Sequence, residues 1–157
     1  PSQEEMQKKI SELEDQLQKS EKADTIKVSE MIGAYQNYAE RFPSDSLSPK
    51  YLYKAGGMAT GFNRGEQALE IYQKIIQKYP ASDLTAESMF MKAFVYENVL
   101  KNLGKASDSY KEFISKYPNH ELIDDATASL KFLGKTPEEM VKEFEKMNAD
   151  SAASETK

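Results

Sequence analysis

The sequence predicts an all-α protein in which helical hairpins stack side by side into an α–α superhelix. Two observations predict this fold. First, an aromatic residue followed by proline recurs at intervals of 37 and 38 residues, at Phe42-Pro43, Tyr79-Pro80 and Tyr117-Pro118. Second, apolar residues inside each interval recur at steps of three and four, the period of a helix, and β-branched residues nowhere alternate with polar ones. A helical hairpin cannot bury a face alone, so stacked neighbours must complete its core.

The repeated aromatic-proline pair has a physical reason. Proline forces the residue before it out of α geometry, so each pair predicts the end of a helix. A polar cluster follows each pair, and Ser, Asp or Asn side chains there are expected to cap the next helix. The clusters are Ser44-Asp45-Ser46, Ala81-Ser82-Asp83 and Asn119-His120-Glu121. We therefore predict that His120, the single histidine, has a capping or solvent role rather than a role as a general base.

Each interval contains two helices. In the first unit Leu52, Ala55, Gly56 and Ala59 share one face, and Asn63-Arg64-Gly65 breaks the chain. A second apolar face then runs from Ala68 to Tyr79. The second unit repeats the arrangement, with the turn at Asn102-Leu103-Gly104. Its apolar positions are Met89, Ala93, Tyr96, Val99 and Leu100 in the first helix and Ala106, Tyr110, Phe113, Ile114 and Tyr117 in the second.

The N-terminal segment, residues 1–22, predicts a separate helix that begins with a capping box at Ser2 and Glu5. Its apolar residues follow steps of four, three and four, the a/d seam of a coiled coil, but the seam stops after about two heptads. Two interpretations follow: the helix docks on the first repeat, or the seam continues upstream of Pro1 and oligomerises the protein. The seam residues are Met6, Ile10, Leu13 and Leu17.

The repeat domain is predicted to span residues 23–147. Ile26 to Phe42 supplies the second helix of an incomplete leading unit, and a helix near Leu122 is stopped by Gly134. A last helix begins at Thr136-Pro137 and is expected to cap the stack. Residues 148–157 are small and polar and predict a disordered tail. The apolar face of the last helix consists of Met140, Val141, Phe144 and Met147.

Composition and motifs give no support for catalysis. The net charge is −5 without a basic stripe, which argues against nucleic acid, and no apolar run could span a bilayer. There are no cysteines for disulfides, zinc sites or nucleophiles. The acidic residues Glu121, Asp124 and Asp125 are explained by the helix macrodipole without a cation. We predict no enzyme, no cofactor and no metal site.

The repeat resembles the tetratricopeptide repeat, in which a small residue of the first helix packs on the second helix and proline closes the unit. Gly56, Ala68, Tyr72 and Pro80 fit that pattern. In the second unit Ala93, Tyr96, Ala106, Tyr110 and Pro118 fit it with one inserted residue, while Leu52 and Met89 replace the family's Trp. The punctuation and spacing are similar to bacterial envelope repeat proteins, of the outer-membrane assembly lipoprotein and Tol–Pal-associated coordinator type.

The resemblance implies a scaffold or adaptor that binds a protein segment in a groove lined by the first helices. It also implies a place in the periplasm or on the outer membrane, with any signal peptide or lipid anchor upstream of Pro1. One alternative is an oligomer built through the N-terminal helix with the repeats as spacer, and a remote one is an accessory domain of an enzyme. Phe90 and Phe94 are either binding surface or core. The predicted groove residues are Lys50, Tyr53, Lys54, Phe90, Met91, Phe94, Glu97 and Asn98.

Overall fold

A computed structural model describes residues 1–22 and 24–155. Ala23, the predicted first residue of the repeat domain, and Thr156 and Lys157, the end of the predicted tail, lie outside the described residues. The described part of the chain consists of helices and turns without a strand, which confirms the all-α prediction. The helices are α1 (Gln3–Gln18), α2 (Thr25–Arg41), α3 (Leu47–Gly61), α4 (Gly65–Lys78), α5 (Leu84–Asn98), α6 (Leu103–Lys116), α7 (Ile123–Lys131) and α8 (Pro137–Glu155).

Consecutive helices from α1 to α7 pack against each other, so the chain is a stack of antiparallel hairpins: α1–α2, α3–α4 and α5–α6, followed by α7. One hydrophobic cluster runs from α1 to α5, and a second is formed by α5, α6 and α7. The first helices α3 and α5 also contact each other directly. As predicted, the inward residues of α2 are buried: Met31, Ile32, Tyr35 and Tyr38.

The aromatic-proline pairs end three helices, as predicted. α2, α4 and α6 stop one residue before the aromatic residue, whose N–H still donates to the carbonyl four residues earlier. Two residues after each proline, a side chain accepts a hydrogen bond from the backbone N–H two residues later, at the start of the next helix. These bonds are Asp45 to Leu47 N at 2.8 Å, Ser82 to Leu84 N at 3.2 Å and His120 Nδ1 to Leu122 N at 3.0 Å, and the N-cap residues Ser46, Asp83 and Leu122 make no side-chain cap of their own. His120 thus accepts from the N-cap residue of α7 without being the N-cap itself.

The hairpin turns inside the two units are built alike. Asn63 and Lys101 occupy corresponding places between the paired helices, and both adopt the left-handed region with φ of 61° and 54°. Gly56 brings α3 and α4 together, because a Cβ atom on it would lie 2.7 Å from the ring of Tyr72. The predicted role of Gly56 in close helix packing is confirmed.

The C-terminal helix differs from the prediction in two respects. It begins as expected, with Thr136 Oγ1 accepting from Glu139 N at 3.2 Å, but it continues to Glu155 instead of ending at Met147. Residues 148–155 contain three alanines and neither glycine nor proline, so nothing in them stops a helix. The helix also buries none of its residues, and Val141 and Phe144 are 55% and 53% exposed.

Helix α8 is therefore attached by few contacts instead of covering the end of the stack. Phe144 stacks on Phe132 with ring centroids 5.4 Å apart, and Lys135 pairs with Glu143 at 3.2 Å.

Candidate protein-binding surface

The first helices α1, α3 and α5 lie on one side of the stack. Lys54 on α3 reaches Glu14 on α1 at 3.0 Å, and α3 and α5 contact each other directly. Because α3 and α5 are parallel neighbours, residues 37 apart lie side by side on them. The surface that results is called the first-helix face below, and it consists of Lys50, Lys54, Gly57, Phe94 and Asn98.

Two predicted groove residues are partly buried and pack against the core. The ring of Tyr53 packs edge-on against Tyr72, with centroids 5.8 Å apart. Phe90 makes the corresponding contact with Tyr110 at 5.9 Å and a further one with Phe113 at 5.7 Å. Both side chains therefore point toward the second helix of their own repeat. These contacts favour the core interpretation of Phe90, and the partly exposed parts of both rings leave their place in the groove a prediction.

Met91 and Glu97 are also largely engaged within the chain. Met91 is half-buried against the hydrophobic cluster that joins α3 to α5. The carboxylate of Glu97 accepts a 2.8 Å hydrogen bond from the hydroxyl of Tyr110. Burial, together with this carboxylate, raises the pKa of the Tyr110 hydroxyl. Glu97 is therefore held at the helix–helix interface and does not form a free acidic rim.

Lys54 is the predicted groove residue with the most charge contacts. Its ammonium lies 3.0 Å from Glu14 and 6.0 Å from the ring centroids of Tyr35 and Tyr51. More than half of its side chain remains in solvent. Lys50, one turn earlier on the same helix, is exposed. The two lysines place positive charge along the α3 side of the first-helix face.

Phe94 is the predicted groove residue that presents an aromatic ring to solvent, with 37% of its surface exposed. The corresponding residue on α3 is Gly57, and a Cβ there would meet nothing within 4 Å among the described residues. Gly61, one turn further on, is equally open. Asn98 is exposed and donates to the carbonyl of Phe94 at 3.1 Å. The exposed ring of Phe94 thus takes the position on α5 that corresponds to the open Gly57 on α3.

The predicted seam of α1 faces the chain's own core. Ile10 and Leu13 are buried to 2% and 7% exposure, and Met6 and Leu17 pack against the same cluster. Gln3 and Gln7 each donate to the hydroxyl of Tyr38 at 2.9 Å. While α1 is docked in this way its apolar side chains cannot pair with another copy, because α2 already covers them.

Lys92 on α5 is a half-buried charged residue that the sequence analysis did not single out. Its ammonium donates to Gln73 Oε1 at 2.7 Å, at the bottom of a cavity between α4 and α6. Comparison of the two units could have found it, since Lys92 stands 37 residues after the buried Ala55.

Neither a cluster of metal ligands nor a membrane-spanning helix is found in the part of the chain that the structure describes. No three His, Asp or Glu side chains there come together as ligands for an ion. The described helices are also too polar or too short to cross a lipid bilayer.

Comparison with known proteins identifies the repeat. Residues 51–82 and 87–120 each match the tetratricopeptide repeat family model, so the chain contains two such repeats, α3–α4 and α5–α6. A search of curated proteins finds no significant match to the chain. Proteins built from tetratricopeptide repeats generally mediate protein–protein interactions and are typically scaffolds without catalytic activity.

Proposed function

From the two tetratricopeptide repeats, we propose that this chain is a non-catalytic interaction module that holds a segment of a partner protein against its first-helix face. The first-helix face exposes the ring of Phe94, and the positions of Gly57 and Gly61 on α3 are open to solvent. The glycines leave this stretch of α3 without side chains, so a side chain of a partner can pack there. Aromatic residues such as Phe94 are common at the centre of protein interfaces.

The surface suits an amphipathic helical segment with one large apolar side chain. That side chain fills the space over Gly57 and packs against Phe94, which removes both apolar surfaces from water. Lys50 and Lys54 border the same face, so an acidic residue of the partner about one turn from its apolar anchor complements them. Lys54 already forms an ion pair with Glu14, so Lys50 contributes more of the attraction to an acidic residue of the partner.

The partner is proposed to lie in the bacterial cell envelope. This rests on the aromatic-proline punctuation and the spacing of 37 and 38 residues, which are similar to those of envelope repeat proteins. Osmotic-shock fractionation of cells that produce the full natural protein tests the location. Recovery in the periplasmic or outer-membrane fraction supports it, and recovery in the cytoplasmic fraction alone contradicts it.

Site-specific photo-crosslinking tests the binding surface. p-Benzoylphenylalanine replaces Phe94 in one variant and Phe62 in a matched control, since Phe62 is an aromatic residue of nearly equal exposure, 38% against 37%, at a hairpin turn. A discrete adduct from position 94 and not from position 62 is expected, and mass spectrometry identifies the protein in it.

Binding with purified components then checks the adduct. Phe94→Ala should weaken binding of the identified partner by at least about tenfold, the loss of a typical interface anchor, while Phe62→Ala leaves it unchanged. Equal adducts from both positions, or equal affinities of the two alanine variants, would show that the first-helix face is not the binding surface.

A further inference from the structure

The two repeats differ at one place on the side opposite the first-helix face. Between α2 and α4 the cleft over α3 is closed, with a volume of about 10 Å³. The corresponding cleft between α4 and α6, over α5, has a volume of about 240 Å³. Gln36 and Leu52 border the small cleft, and Gln73 and Met89, each 37 residues later, border the large one. The same part of the fold is therefore sealed in one repeat and open in the next.

The first helices of the two repeats also carry different residues beneath these clefts. Ala55 and Ala59 on α3 are fully buried, and the helices above close over them. Lys92 and Tyr96 take these two places on α5, and both are only partly buried, in contrast to the two alanines. A buried alanine is what helix packing requires there. A lysine at the same place costs stability, because its charge is partly removed from water.

The ammonium of Lys92 retains hydrogen-bonding capacity. It donates to Gln73 Oε1 at 2.7 Å, and an ammonium has three N–H donors. Burial lowers the pKa of Lys92, while the carboxylate of Glu112 opposes that shift. Glu112 itself pairs with Lys116 at 3.5 Å, on the wall of the same cavity. Two lysines and one glutamate leave one positive charge to be balanced.

We propose that the cavity between α4 and α6 binds one carboxylate group, held by Lys92 together with the side-chain amide of Gln73 and the hydroxyl of Ser109. All three line the cavity. A carboxylate brings a single negative charge, equal to the net positive charge of the walls, whereas a phosphate dianion would bring two. A volume of about 240 Å³ exceeds that of several water molecules, so the group can enter with part of its carrier.

The rest of the molecule that bears the carboxylate is expected to be apolar on one side. An open groove of about 430 Å³ shares Gln73 and Lys92 with the first cavity and is bordered by the apolar surfaces of Leu69 and Tyr96 and by the opposite charges of Glu70 and Lys74. A ligand that spans the cavity and this groove places its carboxylate on Lys92 and a short apolar chain against Leu69 and Tyr96. Two sources present this chemistry: a free aliphatic carboxylic acid, and an acidic or C-terminal residue of a protein next to a leucine-like residue.

Nuclear magnetic resonance titrations of the whole chain test the site. Hexanoate, and hexanamide as its uncharged match, are added to the wild-type protein, to Lys92→Met and to Lys111→Met, a control at an exposed lysine of α6. Hexanoate should shift the signals of Gln73 and Ser109 saturably in the wild type and in Lys111→Met. Binding should weaken at least about tenfold in Lys92→Met and for hexanamide, as expected for the loss of a hydrogen bond to a charged group.

Two peptides distinguish the sources of the carboxylate. Acetyl-leucyl-glutamate amide offers only a side-chain carboxylate, and acetyl-leucyl-leucine offers only a terminal one. Tighter binding of either peptide than of hexanoate identifies a protein ligand and says which carboxylate it uses. Tighter binding of hexanoate identifies a free acid.

Thermal unfolding of Lys92→Met shows whether a loss of binding comes from misfolding. The variant should melt no lower than the wild type, since a half-buried charge is replaced by an apolar side chain of similar length. The proposal is overturned if no carboxylate gives a saturable shift, if Lys92→Met binds as well as the wild type, or if inorganic phosphate binds more tightly than hexanoate.

Discussion

The hydroxyl of Tyr110 donates a 2.8 Å hydrogen bond to Glu97, whereas the hydroxyl of the corresponding Tyr72 is buried without a hydrogen-bond partner among the described residues. Thr60 stands 37 residues before Glu97, but its hydroxyl donates to the carbonyl of Gly56 at 2.8 Å. Burial raises the pKa of Tyr72 to about 12. The two repeats thus use the same tyrosine position at different costs, because the second supplies a charged acceptor within hydrogen-bond distance and the first offers only the neutral hydroxyl of Thr60, which forms no hydrogen bond with Tyr72 of good geometry.

This difference predicts opposite effects of the same substitution. Tyr72→Phe removes a buried hydroxyl that lacks a partner and should leave the free energy of unfolding unchanged or raise it by about 1 kcal/mol. Tyr110→Phe removes a hydrogen bond to a charged group and should lower that free energy by about 1.5–3 kcal/mol. Urea unfolding of both variants measures the two changes. An equal loss in both would mean that Tyr72 has an acceptor after all.

Adjacent glycines of α3 give a second prediction. Gly56→Ala places a Cβ 2.7 Å from the ring of Tyr72 and should destabilise the protein by about 1–3 kcal/mol, the usual cost of overpacking. Gly57→Ala is the matched control, since its Cβ meets nothing within 4 Å in the described part of the chain. It should stabilise the helix by about 0.5–1 kcal/mol. Thermal or urea unfolding decides, and equal effects would contradict the close approach of α3 to α4.

The helices and their caps could be predicted from the sequence because their signals are local. Proline after Phe42, Tyr79 and Tyr117 prevents the helix from continuing. The polar residue that follows accepts a hydrogen bond from a backbone N–H at the start of the next helix, and this bond does not depend on how the units pack. Helix α8 was harder to delimit, because a polar, alanine-containing segment forms a helix or remains disordered depending on contacts that its sequence does not specify.

The residues of the binding surface could be predicted only in part. Helix α5 is apolar nearly all round, so its periodicity does not distinguish Phe90, which packs on Tyr110, from Phe94, which faces solvent. That distinction depends on the position of α6. Alignment of the repeats would have helped, since Phe90 corresponds to the ring of Tyr53 and Phe94 to the open Gly57. Each apolar position takes its role from the helix that packs on it.

The attachment of α1 is predicted to weaken in acid. Glu14 accepts hydrogen bonds from Tyr35 at 2.6 Å and from Lys54 at 3.0 Å. Partial burial raises the pKa of Glu14, but these bonds outweigh it and hold the pKa below its usual value. A lowered pKa means that the ionised carboxylate stabilises the docked helix above the ordinary glutamate range, about 4.3, and that this stabilisation is lost as the pH falls through the lowered pKa.

Hydrogen exchange of the α1 amides measures this effect. Glu14→Gln should reduce protection at neutral pH by a modest factor, since the ion pair is partly exposed, and the difference from the wild type should vanish in acid. Glu12→Gln, at an exposed position of the same helix, is the control and should change protection little at any pH. A difference that persists at a pH low enough to protonate the wild-type Glu14 fully would mean that the charge of Glu14 does not matter for docking.

The burial of Ile10 distinguishes a docked α1 from an oligomer seam. Ile10→Ala leaves a cavity in the core shared with α2 and should lower the free energy of unfolding by about 2–5 kcal/mol, with no change in mass by light scattering. Lys9→Ala, next to it on the exposed side, should alter neither quantity. If Ile10→Ala instead converted a dimer or trimer to a monomer, the seam would join separate chains, because a cavity inside one chain costs stability without changing how many chains associate.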